Sequence, residues 1–207
     1  VPSITGDQAS GAADHIADRL TRRAILGQRY DAGLARDVSS LLDSLERDLV
    51  GQIARIDATG IDRAVFRRAR LSKLLAETRQ QIRTNFKRIN TITHKDLGAV
   101  LELEATATKA AMTAGFQSVG ARLAVGLPTD ATFAALAEDT LVIGSPLKDW
   151  WARQELKLQH DFAQQMRLGV TAGETVEQLA RRITGGKADG QIVKGIMEGA
   201  RSTSRTL

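Results

Sequence analysis

Residues 34–56 read LARDVSSLLDSLERDLVGQIARI, and their apolar positions decide the fold class. Leu34, Val38, Leu41, Leu42, Leu45, Leu49, Ile53 and Ile56 step by three, four and seven residues, the spacing that collects side chains along one stripe of an α-helix. No period-two alternation runs through the stretch, so it is not a half-buried strand. The spacing predicts a helix over 31–56. Its seam could meet a partner, but among several adjacent amphipathic helices internal packing is the better reading.

The flanking sequence extends the helical pattern in both directions. Proline occurs only at Pro2, Pro128 and Pro146, leaving 125 consecutive residues without one, and Ala (30), Leu (23) and Arg (21), all good helix formers, dominate the 207 residues. A short helix is expected at 12–26. Asp57-Ala58-Thr59-Gly60 reads as a break, Asp62 as the cap of a helix over 62–92, and Thr93 to Asp96 as its end. The Ala-, Gly- and Thr-rich stretch ELEATATKAAMTAGFQSVGARLAVG (102–126) lies in a further helical segment, weakened by its glycines.

Beyond Pro128 a short helix over 131–138 is expected, then one with Ser145 as N-cap and Pro146 in its first position. Leu147, Trp151, Leu158, Phe162 and Met166 share its apolar face, and Gly169 is read as its end. Thr175 and Gln178 form a potential capping box, with Val176, Leu179, Ala180 and Ile183 on the buried side of the following helix. GGKADG (185–190) reads as a loop before a last helix over 191–200. The fold class expected is all-α: an elongated array of long antiparallel helices over 1–127, including a basic helix at 62–92, and a small C-terminal helical module over 128–207.

Composition narrows the chemistry. With no cysteine, thiolate zinc sites, thiol nucleophiles and iron–sulfur ligation are excluded. No apolar run approaches the length of a membrane helix, and the opening VPSITGDQASG lacks the basic and apolar regions of an intact secretory signal. His15, His94 and His160 stand far apart without a metalloprotease spacing. His160 and Asp161 are helix neighbours that diverge by about 100°, and Glu102 and Glu104 likewise face different ways. TGGKAD lacks the spacing and the hydroxyl of a phosphate loop, and no Gly-x-Ser-x-Gly elbow occurs. The expectation is a non-enzyme with no catalytic residue, no metal and no cofactor.

The informative feature is where the charge lies. The whole chain carries +5, yet from Arg63 to Lys95 there are ten basic residues and one acid, Glu77, a net of +9 against −4 elsewhere. On a helical wheel Leu71, Leu75, Ile82, Phe86 and Ile89 gather on one side, and Arg70, Lys73, Arg83, Lys87 and Arg88 lie mostly opposite. Mixed signs would support a helix through i,i+4 pairs, so ten to one is unusual for a face that is merely solvated. The candidate nucleic-acid or acidic-partner site is therefore Arg63, Arg67, Arg70, Lys73, Arg79, Arg83, Lys87 and Arg88, a row able to neutralise phosphates without reading sequence. Trp150, flanking the apolar face, is a candidate partner-interface residue, although burial in the core is the commoner state of tryptophan.

The succession IGSPLKDWWARQELKLQHDFAQQMRLGVTAGETVEQLARRITG (143–185), an apolar-faced helix followed by a GETVEQLA turn into a short helix, resembles the minor head (head-morphogenesis) proteins of tailed bacteriophages, including the Mu F-like branch. The Arg-rich helices and the Ala-rich segment with Glu102 and Glu104 are similar too, so the resemblance covers about 14–205. It implies a virion component made in the bacterial host cytoplasm and located in the phage head. Its partners would be the portal protein or the major capsid protein and packaged double-stranded DNA, with homo-oligomerisation open and no membrane. Alternatives are an internal protein ejected with the DNA, or the non-catalytic N-terminal part of a longer enzyme or toxin fusion, since the family usually continues past the RSTSRT-like segment.

Overall fold

Without proline to break them, the helices run further than the turn signals suggest. The computed structural model describes residues 6–57, 65–188 and 191–204, with unbroken side-chain detail in the first helix over 32–55 and in the second from Arg70. The first helix, α1, spans Gly6–Asp57 and the second, α2, spans Val65–Ser118. The helices expected separately at 12–26 and 31–56 are thus one element. An interior glycine such as Gly27 costs about 1 kcal/mol relative to alanine, too little to end a helix of this length. Likewise α2 continues through Thr93 to Asp96, where Thr93 is buried. Past the end of α2 at Ser118, Gly120 turns the chain, its left-handed φ of 74° accompanying a bond from the Ala121 N–H to the Phe116 carbonyl. The expected cap Asp62 lies outside the described residues.

The remaining elements are α3 (Asp130–Asp139), β1 (Leu141–Val142), β2 (Ser145–Pro146), α4 (Leu147–Ala172), α5 (Val176–Thr184), β3 (Gly186–Ala188), β4 (Gln191–Val193) and α6 (Ile196–Ser204). The fold is all-α, with two minimal antiparallel ribbons. Thr129 caps α3, accepting from the Thr132 N–H.

Three boundaries differ from expectation. Ser145 does not cap α4, because it pairs as β2 with β1 across a tight turn in which Ile143 and Gly144 both have positive φ. Pro146 takes the cap position without a side-chain bond. Gly169 does not end α4; the helix runs to Gly173, whose φ of 73° closes it while the Glu174 N–H reaches the Gly169 carbonyl. GGKADG is not simply a loop but contributes β3, whose Gly186, Lys187 and Ala188 pair with Val193, Ile192 and Gln191, so the last helix begins at Ile196 rather than 191.

The chain forms two compact units, and they do not divide at Pro128. One comprises Val1–Leu34 and Ile92–Leu141, the other Ala35–Thr91 and Val142–Leu207. Each long helix contributes one part to each unit, so the boundary follows packing rather than Pro128. In the first unit Ala111, Phe133 and Ala137 are buried.

The second unit is built on a helical hairpin. The Thr78 hydroxyl donates to Gln52 Oε1 at 2.8 Å, and Leu42 lines a cavity with Phe86. Moving back along α1 moves forward along α2, so these stretches are antiparallel. Val38, Leu42, Leu45, Leu49 and Ile53 from α1 are buried, as are Leu74, Ile82, Phe86 and Ile89 from α2. The seam that decided the fold class therefore packs internally. Leu71 and Leu75 are only half-buried, and Leu74 sits between them in the core.

On this hairpin α4 places Leu147, Trp150, Trp151, Leu158, Phe162 and Met166, all buried. Trp151 meets Phe86 edge-on at 6.0 Å between ring centroids and Trp150 at 4.7 Å, an arrangement favoured by the ring quadrupoles. Trp150 is 3% exposed, so it is a core residue and not a partner-interface residue; it packs edge-on against Trp151, which in turn meets Phe86. From α6, Met197 is buried, and Arg201 reaches back to α1, donating from Nε to Asp43 Oδ1 at 2.8 Å and pairing with Glu46 at 2.7 Å.

Candidate polyanion-binding face

The side of α2 opposite its buried stripe carries the charge. Burial of Leu74, Thr78, Ile82, Phe86 and Ile89 fixes the rotation of the helix, and a residue four positions on returns to nearly the same direction. Arg79, Arg83 and Lys87 are each exposed and follow one another at that spacing; Lys73 and Arg88 are exposed beside them. From Lys73 to Arg88 the rise is about 22 Å at 1.5 Å per residue.

One acid interrupts the row. Glu77 lies 3.8 Å from Lys73, both well exposed, a pair of a kind that contributes little in water. Arg79, Arg83, Lys87 and Arg88 have no carboxylate partner among the described residues. Arg70 is half-buried and engaged with a neighbour, so it contributes less to the free face. Arg63 lies outside the described residues, as does the side chain of Arg67 in the first turn of α2. Of the eight basic positions expected from the sequence, five are thus exposed together on one side of one helix.

No family model, curated protein or solved structure matches the chain. What the face can do follows from its chemistry alone. Guanidinium and ammonium groups in a row, without base-shaped pockets or aromatic platforms, neutralise phosphate charge in register with a backbone and carry no sequence information.

Elsewhere in the second unit lie polar arrangements that sequence reading did not find. The Arg182 guanidinium holds Glu174 through two bonds, Nε to Oε2 at 2.6 Å and Nη2 to Oε1 at 2.5 Å, and donates from Nη1 to Gln165 at 2.5 Å. One side chain of α5 thereby clamps the end of α4 and the turn between them. Hydrogen bonding from Arg182 holds the Glu174 carboxyl below its ordinary range against the opposing effect of burial, and the same contact raises Arg182. At Arg201 burial opposes the charge, but the hydrogen bond to Asp43 and the nearby Glu46 outweigh it and raise its pKa. The capping box at Thr175 and Gln178 is present as expected.

Among the described residues no three His, Cys, Asp or Glu side chains gather as metal ligands, and no helix is long and apolar enough to cross a membrane. His160 is exposed, with Nδ1 3.6 Å from its neighbour Asp161. Glu102 is exposed and Glu104 is half-buried. The segment resembling a phosphate loop, Gly185 to Ala188, follows α5 and enters β3, the reverse of the strand–loop–helix order that phosphate cradling needs.

Proposed function

We propose that this chain is a non-enzymatic structural protein that holds duplex DNA phosphates on the exposed face of α2. Its setting is the one its sequence resemblance implies: a minor head protein at the portal vertex or inner capsid surface of a tailed phage, in contact with the portal or major capsid protein and acting in head assembly and genome packaging or delivery. The observation that carries this reading is the shared exposure of Lys73, Arg79, Arg83, Lys87 and Arg88 over a face with one acid. A like-charged row on a single helix has no structural purpose in the hairpin, whose core is complete on the other side.

Fluorescence anisotropy with a labelled DNA duplex tests it. Four or five neutralised phosphates give a logarithmic salt slope of about −4, and binding should not depend on base sequence. Reversing Arg79, Arg83 and Lys87 to Glu should abolish binding without loss of helicity. Binding that ignores salt, or that survives the reversal, refutes the DNA role. Co-purification with a portal ring tests the location independently. Mass spectrometry of filled virions against emptied ones distinguishes a retained protein from one ejected with the genome.

A further inference from the structure

A second cationic site lies away from α2, in the C-terminal part of the second unit. A cavity of about 450 Å³ opens between α5 and the β3–β4 ribbon, with Arg181, Arg182 and Lys194 in its wall, a volume within the range of ligand sites. Glu174 is the one carboxylate among its described lining residues, and Arg182 already satisfies it at both oxygens. That leaves Arg181 and Lys194, both exposed and neither paired with a carboxylate among the described residues.

On its ribbon side the cavity is bounded by extended backbone at Gly186 and Val193. Val193 lines the cavity and is 43% exposed, and its neighbour Ile192 is 79% exposed. The ribbon has only two strands, so each has an outer edge that pairs with no described strand. An open edge is a template for another strand. Peptides that bind this way gain affinity from main-chain bonds and selectivity from alternate side chains. Charge complementarity then names the occupant, because the unpaired groups flanking the edge are cations.

We propose that this groove takes an acidic, extended peptide segment of a partner protein, which adds beside β4 with its carboxylates on Arg181 and Lys194 and its alternate apolar side chains against Val193. A DNA duplex suits the site less well, since its phosphates call for a convex row such as that on α2, whereas here two cations stand in a concave cavity beside Val193.

The full-length chain is titrated with a fluorescein-labelled octapeptide of alternating Glu and Val, read by anisotropy. Binding is expected, and it should weaken about tenfold or more in the Arg181→Glu, Lys194→Glu pair. The milder Arg181→Ala, Lys194→Ala pair, which removes no core atom, should give a smaller loss. The counterpart with Lys for Glu should not bind, nor should one with Pro for Val, which loses the main-chain donors. Reversal of Arg79, Arg83 and Lys87 should leave peptide binding unchanged, which separates this site from the proposed DNA face. The inference is overturned if the Glu–Val peptide fails to bind, if the proline form binds equally, if the α2 reversal alone removes binding, or if a DNA duplex protects Lys194 and displaces the peptide.

Discussion

Gly169 offers the sharpest test of how α4 and α5 meet. It lies inside α4, and a methyl group built there would fall well inside contact distance of Leu179 Cδ2 and come within 2.6 Å of Glu174 Oε2. Gly51, inside α1 in the same unit, has nothing within 4 Å of an added methyl. Alanine is favoured over glycine in a helix interior by about 1 kcal/mol, and this gain applies at both positions. At Gly169 it is opposed by overpacking, at about 1–3 kcal/mol, in a place where Leu179 is buried and Glu174 is held by Arg182. The same substitution should therefore have opposite signs: Gly51→Ala stabilises by about 1 kcal/mol, while Gly169→Ala is destabilising by up to about 2 kcal/mol. For a chain of this size 1 kcal/mol corresponds to a shift of about 2–4 °C in Tm. Urea and thermal unfolding followed by far-ultraviolet circular dichroism resolve such a gap. Stabilisation by Gly169→Ala equal to that by Gly51→Ala would refute the close approach of the two helices at Gly169.

Three further outcomes follow from single contacts. Because the folded Glu174 carboxyl titrates below its ordinary value near 4.5, its contribution is present above that value and is lost as pH falls through the folded pKa. Glu174→Gln should lower stability by about 1–2 kcal/mol at neutral pH, and urea midpoints should show this gap to wild type closing on acidification. Thr78→Val leaves the buried Gln52 Oε1 without its donor and should cost about 1–3 kcal/mol, whereas adding Gln52→Leu should recover most of that loss in a double-mutant cycle. Ile143, 73% exposed with φ of 50° in a tight turn, is a β-branched residue in the left-handed region, so Ile143→Asn should raise Tm by relieving about 1 kcal/mol of strain.

How much was legible in the sequence depended on the range of the interaction. The Val38 to Ile53 part of the first stripe, the apolar face of α4 and the Thr175 capping box are local patterns, fixed by helical spacing and by bonds between near neighbours, and each is found in the structure. Element ends were read less well, since a glycine permits a turn without requiring one. Gly169 is needed for the close approach of Leu179, and Gly173 provides the left-handed cap instead. Ser145 and Pro146 carry the residue types of a helix start, but pairing with β1 takes precedence. Arg201 and Asp43 are 158 residues apart, and no periodicity relates them. The cationic cavity is equally invisible, because Arg181 and Lys194 are brought together by a ribbon too short to show a strand pattern.

The α2 face was legible in charge but not in extent, and its energetic cost bears on its purpose. Arg79, Arg83 and Lys87 form two successive i,i+4 like-charge pairs with no acid between them, each destabilising an isolated helix by about 0.2–0.5 kcal/mol. Replacing Arg83 with Glu would convert both to favourable pairs while leaving the buried stripe untouched, so nothing in the hairpin demands the arrangement present. Local choices that oppose local stability mark functional positions. On the proposed reading a polyanion on this face would remove the repulsion as it binds, and part of the association energy would come from repulsion already present in the free helix. Within the face Lys73 and Glu77 form an ordinary opposed pair, and the repulsive run begins only at Arg79. The proposed contact would accordingly centre on Arg79 to Arg88.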